Sequence, residues 1–108
     1  MHGWIGVDLD GTLAEYHGWK GEDHIGEIIG DMKVRICGWL AKGIPVKIFT
    51  ARANGGPAQI ETIHGWLERN GLPRLEVTAT KDFGMIELWD DRCVQIIENT
   101  GKRADGGV

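Results

Sequence analysis

The sequence has few of the residues and patterns that mark several classes of protein. Only two cysteines, Cys37 and Cys93, occur among 108 residues, too few for a disulfide framework or a cysteine-ligated metal cluster. No apolar run approaches the roughly 20 residues that a membrane-spanning helix needs. The first residues also lack the basic start and apolar stretch of a secretory signal. We therefore expect a soluble, cytoplasmic protein with no membrane partner.

Positive charge is also in short supply. Lysine and arginine number 12 against 16 aspartates and glutamates, which leaves a formal net charge of -4. Proteins that bind nucleic-acid backbones tightly need clustered positive charge, so this balance argues against such binding. Glycine is plentiful, at 17 of 108 residues, which predicts many tight turns. The remaining composition is that of an ordinary globular domain.

Short apolar runs alternate with amphipathic stretches along the chain. Residues 4–7 form an apolar run that stops at Asp8, and similar runs occur at 46–49, 75–77, 86–89 and 94–97. Helical periodicity follows Asp31, a candidate N-cap, and Pro57, a residue suited to a first helical turn. This alternation predicts an α/β, three-layer, Rossmann-like fold with a central, mainly parallel, five-stranded sheet. We expect one domain over residues 1–100, a flap at about 13–30 and a flexible tail at 101–108.

Polar side chains stand where the predicted strands stop. They are Asp8, Asp10, Thr50, Asp90 and Asp91, with Lys81 in the loop before the fourth predicted strand. Ligands of open parallel sheets bind beyond the carboxyl ends of the strands, so we expect these side chains to share one pocket. Four carboxylates in one pocket repel one another, and a divalent cation would remove the conflict. Oxygen ligands without thiols or imidazoles suit Mg²⁺.

The motifs in this set resemble those of the haloacid dehalogenase (HAD) superfamily of phosphotransferases. Asp8-Leu9-Asp10-Gly11-Thr12 is similar to its first motif, and Thr50, Lys81 and Asp90-Asp91 follow in the order and approximate spacing of the other three. The resemblance covers about residues 4–98. The segments Phe-Thr-Ala-Arg (49–52) and Trp-Asp-Asp-Arg (89–92) are similar to nucleotidase-like members.

The resemblance implies a catalytic role for four residues. Asp8 would be the nucleophile that forms an aspartyl-phosphate, which divides one difficult displacement into two easier ones. Asp10 would act first as general acid and then as general base. Thr50 would donate a hydrogen bond to a phosphoryl oxygen, and Lys81 would bring a positive charge to the same group.

The resemblance also implies a metal site. Mg²⁺ would be held by the Asp8 side chain, the Asp10 backbone carbonyl and Asp91, and it would neutralise phosphate charge. Asp90 would steady Lys81 or a water on the metal rather than bind the metal directly.

Four more residues are candidates for substrate binding. Gly11 lets the chain turn sharply and Thr12 fixes the loop through its hydroxyl. Arg52 could contact a substrate anion or form a surface ion pair. Trp19, in the flap, could be a platform for a base or sugar or could serve to pack the flap.

The spacing of the motifs leaves no room for the cap domain that covers the site in many relatives. The site should therefore be open, or covered by a neighbouring subunit or another partner. The resemblance implies a Mg²⁺-dependent phosphatase acting on nucleotides or other small phosphomonoesters. Nucleic-acid ends and phosphoproteins are alternative substrates. A non-catalytic, receiver-like phospho-binding module is an alternative of another class, although receivers carry the phosphoacceptor aspartate after the third strand rather than the first.

Overall fold

The computed structural model describes residues 3–108, which form a parallel sheet and two α-helices. The elements in chain order are β1 (Trp4–Val7), α1 (Gly30–Ala41), β2 (Val46–Phe49), a 3₁₀ helix (Ala51–Gly55), α2 (Pro57–Arg69), β3 (Val77–Thr78) and β4 (Met85–Trp89). The strands are ordered β3-β2-β1-β4, and all three neighbouring pairs are parallel. The predicted α/β architecture with a parallel sheet is confirmed.

The hydrophobic core lies on one face of this sheet. Strand pairing sets Ile5 beside Val46 and Val7 beside Ile48, so these side chains share a face. They belong to the same buried cluster as residues of both helices, namely Met32, Ile36, Ile63, Trp66 and Leu67. Both helices therefore cover the same face, as successive right-handed crossovers in one direction require.

The described residues thus form two layers rather than the three that were expected. Six residues, 79–84, connect β3 to β4, and they contain no helix. Residues 90–108, which follow β4, contain no helix either, so no described segment supplies a helix to the second face.

The second face of the sheet is covered locally around Trp4. The indole N–H of Trp4 donates to the Asp82 carboxylate at 2.9 Å, and the same oxygen accepts from the Gly84 backbone N–H at 2.8 Å. The Lys47 ammonium lies 4.5 Å from the centre of the Trp4 ring. The segment Asp82-Phe83-Gly84, to which the sequence alone assigned no role, therefore fixes the start of β4 against β1.

The fifth strand that was expected at residues 94–97 is not formed. Asn99 adopts a left-handed conformation (φ 66°), and the chain folds back so that Ile97 N–H donates to Lys102 and Ala104 N–H donates to Gln95, both at 2.8 Å. These backbone groups are paired locally instead of with the free edge of β4. The partners at 102 and 104 lie in the segment that was expected to be a flexible tail.

The helix boundaries differ little from those that the sequence predicts. Asp31 lies in the first turn of α1 rather than at its N-cap, which is Ile29. Pro57 is at the start of α2, and Gly71, with φ 78°, follows the C-cap of that helix. Neither helix of residues 3–108 has the length and apolarity required to cross a bilayer.

Candidate active site

The loop after β1 presents two carboxylates on either side of a buried leucine. Leu9 is fully buried, whereas Asp8 and Asp10 are partly exposed. The Leu9 carbonyl accepts from the N–H groups of Leu13 (3.0 Å) and Ala14 (2.8 Å), which closes the loop tightly. The strand alternation thus continues past the strand end and turns both aspartates away from the core.

Gly11 allows this loop to approach β4. Its φ is +90°, a conformation that residues with a Cβ rarely adopt, and a Cβ built at Gly11 would lie 2.7 Å from the Asp91 carboxylate. Two features therefore favour glycine at this position: the left-handed turn and the close approach of a charged side chain.

Three carboxylates meet at the carboxyl ends of two neighbouring strands, β1 and β4. One oxygen from each of Asp8, Asp90 and Asp91 lies within 4.8 Å of the others. The chain passes from β1 to β2 on one side and later returns to place β4 on the other, so the cluster occupies the point where the strand order reverses. Crevices at such points are the usual ligand sites of open α/β sheets.

The cluster perturbs the acidity of Asp8. Burial, the negative charge of Asp90 and a hydrogen bond with Asp91 raise the pKa of Asp8 to about 7, from an ordinary value of 3.8. Each of these causes disfavours the ionised carboxylate. A cation between the three groups would reverse the balance.

Hydrogen bonds hold two of the carboxylates in place. Thr12 Oγ1 donates to Asp91 Oδ1 at 3.1 Å and accepts from the Asp91 backbone N–H at 3.0 Å. Asp90 Oδ1 accepts from the Arg92 backbone N–H at 2.8 Å. Thr12 therefore contacts the cluster directly, and its role in fixing the loop stays a prediction.

Thr50 lies at the end of β2, next to the end of β1. It is buried, and its backbone N–H donates to Thr78 at 2.9 Å. Its hydroxyl oxygen accepts from the Arg52 backbone N–H at 3.2 Å, which caps the 3₁₀ helix. This bond uses the hydroxyl oxygen as an acceptor, and within residues 3–108 the Thr50 hydroxyl donates no hydrogen bond.

Lys81 is less closely associated with the cluster. Its side chain is exposed and lines, together with Asp90 and Cys93, a cavity of about 610 Å³ beside β4. Within residues 3–108 it makes no ion pair with the carboxylates.

Burial and the charges of Asp90 and Asp8 raise the pKa of the Cys93 thiol, which favours its neutral form.

The Asp10 side chain is bound to Arg52. Arg52 Nε donates to one Asp10 oxygen at 2.8 Å and Nη2 donates to the other at 2.9 Å. The Arg52 side chain is only 7% exposed. The Asp10 carboxylate is therefore not one of the three clustered groups, and its expected contact with a metal was through its backbone carbonyl.

The flap is fastened to α2 and the 3₁₀ helix by bonds that sequence reasoning missed. Gln59 Nε2 donates to the Glu22 carbonyl at 3.0 Å, and Trp66 Nε1 donates to the Gly26 carbonyl at 3.1 Å. Trp19 is 59% exposed, and the Arg52 guanidinium lies 4.8 Å from its ring centre. These contacts join residues that are far apart in the chain, so no local sequence pattern predicts them.

The donor set fits a hard divalent cation. Asp8, Asp90 and Asp91 supply only carboxylate oxygens, and no imidazole or thiol belongs to the cluster. The resemblance assigned Asp8, the Asp10 backbone carbonyl and Asp91 to the metal, and Asp90 to its surroundings. The geometry brings Asp90 as close as the other two.

Comparisons with known proteins give no relative for this chain. A scan of protein-family models, a search of curated proteins and a search of solved structures each found no match. The arrangement of residues in the site is therefore the basis for assigning a function.

Proposed function

We propose that this chain is a Mg²⁺-dependent phosphomonoester phosphatase that acts through an aspartyl-phosphate on Asp8, with the fold of a HAD-type domain that lacks a cap. The observation that carries the proposal is the cluster of Asp8, Asp90 and Asp91 at the reversal point of a parallel sheet. Thr50 at the end of the adjacent strand adds a hydroxyl donor. Such a set combines a nucleophile, a cation site and a phosphate ligand.

Asp8 is the proposed nucleophile. Its carboxylate would attack phosphorus and displace the alcohol oxygen, and water would then attack the aspartyl-phosphate to release inorganic phosphate and free Asp8. A neighbouring cation would keep Asp8 ionised, since its raised pKa comes from burial and from like charges. Mg²⁺ at the three carboxylates would also neutralise charge on the phosphoryl group.

The remaining residues have supporting roles in the proposal. Asp10 would protonate the departing oxygen and later accept a proton from the attacking water. The free hydroxyl hydrogen of Thr50 would bind a phosphoryl oxygen. Lys81 would have to turn toward the phosphoryl group to neutralise it, which its exposure permits.

The surroundings of the site favour small phosphomonoesters. A cavity of about 420 Å³ is lined by Asp10, Arg52 and residues of the flap and α2, but by none of the three clustered carboxylates, and its polar and aromatic lining could hold a leaving group. The formal net charge of -4 gives little support to a nucleic-acid end as substrate.

The test is phosphate release from a panel of nucleotides, sugar phosphates and aryl phosphates, with Mg²⁺ and with a chelator. We expect release that requires Mg²⁺ and that falls by at least about 10³-fold in Asp8→Asn, because no other carboxylate replaces the nucleophile. The control is Asp23→Asn, which changes a flap aspartate outside the cluster. Release unaffected by the chelator or by Asp8→Asn would contradict the proposal.

A further inference from the structure

Arg52 is one of the most completely bonded polar side chains near the cluster. Its guanidinium donates four hydrogen bonds, two to the Asp10 carboxylate and one each to the carbonyls of Glu22 (3.2 Å) and His24 (2.9 Å). A guanidinium has five N–H donors, so nearly all its capacity is used by the protein itself. Arg52 is therefore poorly placed to serve as a free anion-binding residue.

The pairing with Arg52 fixes both the position and the plane of the Asp10 carboxylate. Two parallel N–H···O bonds align the plane of the carboxylate with the plane of the guanidinium, which a single ammonium donor cannot do. Each carboxylate oxygen keeps a second acceptor position. Asp10 can thus still exchange a proton with a ligand while its orientation is held.

Arg52 is itself held from two directions. Its backbone N–H is bonded to Thr50, and its side chain is bonded to the flap and lies against Trp19. A side chain fixed in this way gives an oriented support rather than a mobile surface charge. The cavity beside Asp10 is lined by Arg52 as well.

We propose that Arg52 is a positioning residue, which holds the Asp10 carboxylate in the orientation that proton transfer to the leaving group requires. This inference depends on the proposed phosphatase function. We therefore expect substitution of Arg52 to reduce turnover most for substrates whose leaving group needs a proton. An alkyl phosphate leaves poorly without one, whereas p-nitrophenyl phosphate leaves well.

The experiment compares kcat/KM for these two substrates in the full chain and its variants, because kcat/KM reports the departure of the leaving group and not the later hydrolysis of the aspartyl-phosphate, in which Asp10 also acts. In Arg52→Gln we expect kcat/KM to fall about 100-fold with an alkyl phosphate, the lower end of what general acid catalysis contributes, and no more than about threefold with p-nitrophenyl phosphate. Retained turnover of the aryl substrate also shows that the variant is folded. Arg52→Lys keeps the charge but not the paired bonds, so it should lose alkyl phosphate turnover almost as far.

The matched control is Gln59→Leu. It removes a bond to Glu22, a carbonyl that Arg52 also binds, but leaves Asp10 untouched, so the ratio of the two rates should stay at the wild-type value. An equal fall with both substrates in Arg52→Gln, or full recovery in Arg52→Lys, would overturn the positioning role and leave the phosphatase proposal standing. A wild-type protein inactive on both esters would instead overturn the proposed function, and the positioning role with it.

Discussion

At the scale of single residues, the site depends on how closely backbone and side chains can approach. Gly11 is the clearest case, because the loop after β1 passes against the Asp91 carboxylate. Asp91 is in turn bonded to Thr12, so a shift at position 11 would move a cluster member and its support together. The loop and the carboxylates are thus one packed unit.

Gly11→Ala should weaken Mg²⁺ binding by about 10-fold or more, because displacement of a group around a metal ligand typically has an effect of that size. Gly18→Ala is the control, since Gly18 also has a positive φ (+104°) but no atom within 4 Å of a built Cβ. Backbone strain of about 1–2 kcal/mol should appear in both variants, and weaker metal binding only in the first. Thermal unfolding at increasing Mg²⁺ concentration measures both the loss of stability and the affinity for Mg²⁺. An equal loss of affinity in Gly11→Ala and Gly18→Ala would contradict this prediction.

The sequence could predict several residues of the site but not all of their contacts. Asp8, Thr50 and Asp91 could be found because each follows a strand end, and strand ends of a parallel sheet meet. The partnership of Arg52 with Asp10 could not, because 42 residues separate the two and either a substrate contact or an ion pair suited the sequence. Only the folded flap decides where the guanidinium points.

At the scale of elements, periodicity predicted the helices and four strands, and apolar residues of both helices and of β1, β2 and β3 share one core. Ile36, Ile48 and Ile63 are fully buried, as the patterns require. The segment at 94–97 has an equally apolar pattern, but the turn at Asn99 pairs its backbone locally, and Ile96 remains 48% exposed. An apolar run specifies a strand only when the chain also provides a neighbour.

Substitution of isoleucine measures this difference. Ile48→Ala, in β2, should reduce the free energy of unfolding by about 2–5 kcal/mol, because it leaves a cavity in the core. Ile96→Ala should reduce it by less than about 1 kcal/mol, since half of that side chain is already in solvent. Chemical denaturation of the two variants gives both values. Similar losses would mean that residues 94–97 are packed, as a fifth strand would be.

At the scale of the whole molecule, the carboxylate cluster links stability to pH and to metal. The folded state raises the pKa of Asp8 to about 7, above its ordinary value of 3.8, so between these values the folded protein binds more protons than the unfolded chain. The contribution of Asp8 to the free energy of unfolding is therefore largest below about pH 4, and it is lost as the pH rises through about 7.

Comparison of the metal-free wild type with Asp8→Asn isolates this effect. The variant should be more stable than the wild type at pH 8 by about 2 kcal/mol, which is roughly half the value for the full pKa shift because Asp8 is partly exposed. At pH 4 the difference should be small. Mg²⁺ should raise the melting temperature of the wild type more at pH 8 than at pH 5, since only the ionised carboxylate binds it. A wild type that is the more stable protein at pH 8 without metal would refute this.

The most direct test of the central claim is chemical capture of the intermediate on Asp8. The wild type would be mixed with its best phosphomonoester and Mg²⁺, quenched in acid during turnover, digested and analysed by peptide mass. We expect one phosphoryl group on the peptide that contains Asp8, absent in Asp8→Asn and absent when a chelator is present. Phosphate release at a normal rate with no phosphoryl group on that peptide, or with one on a different residue, would contradict it.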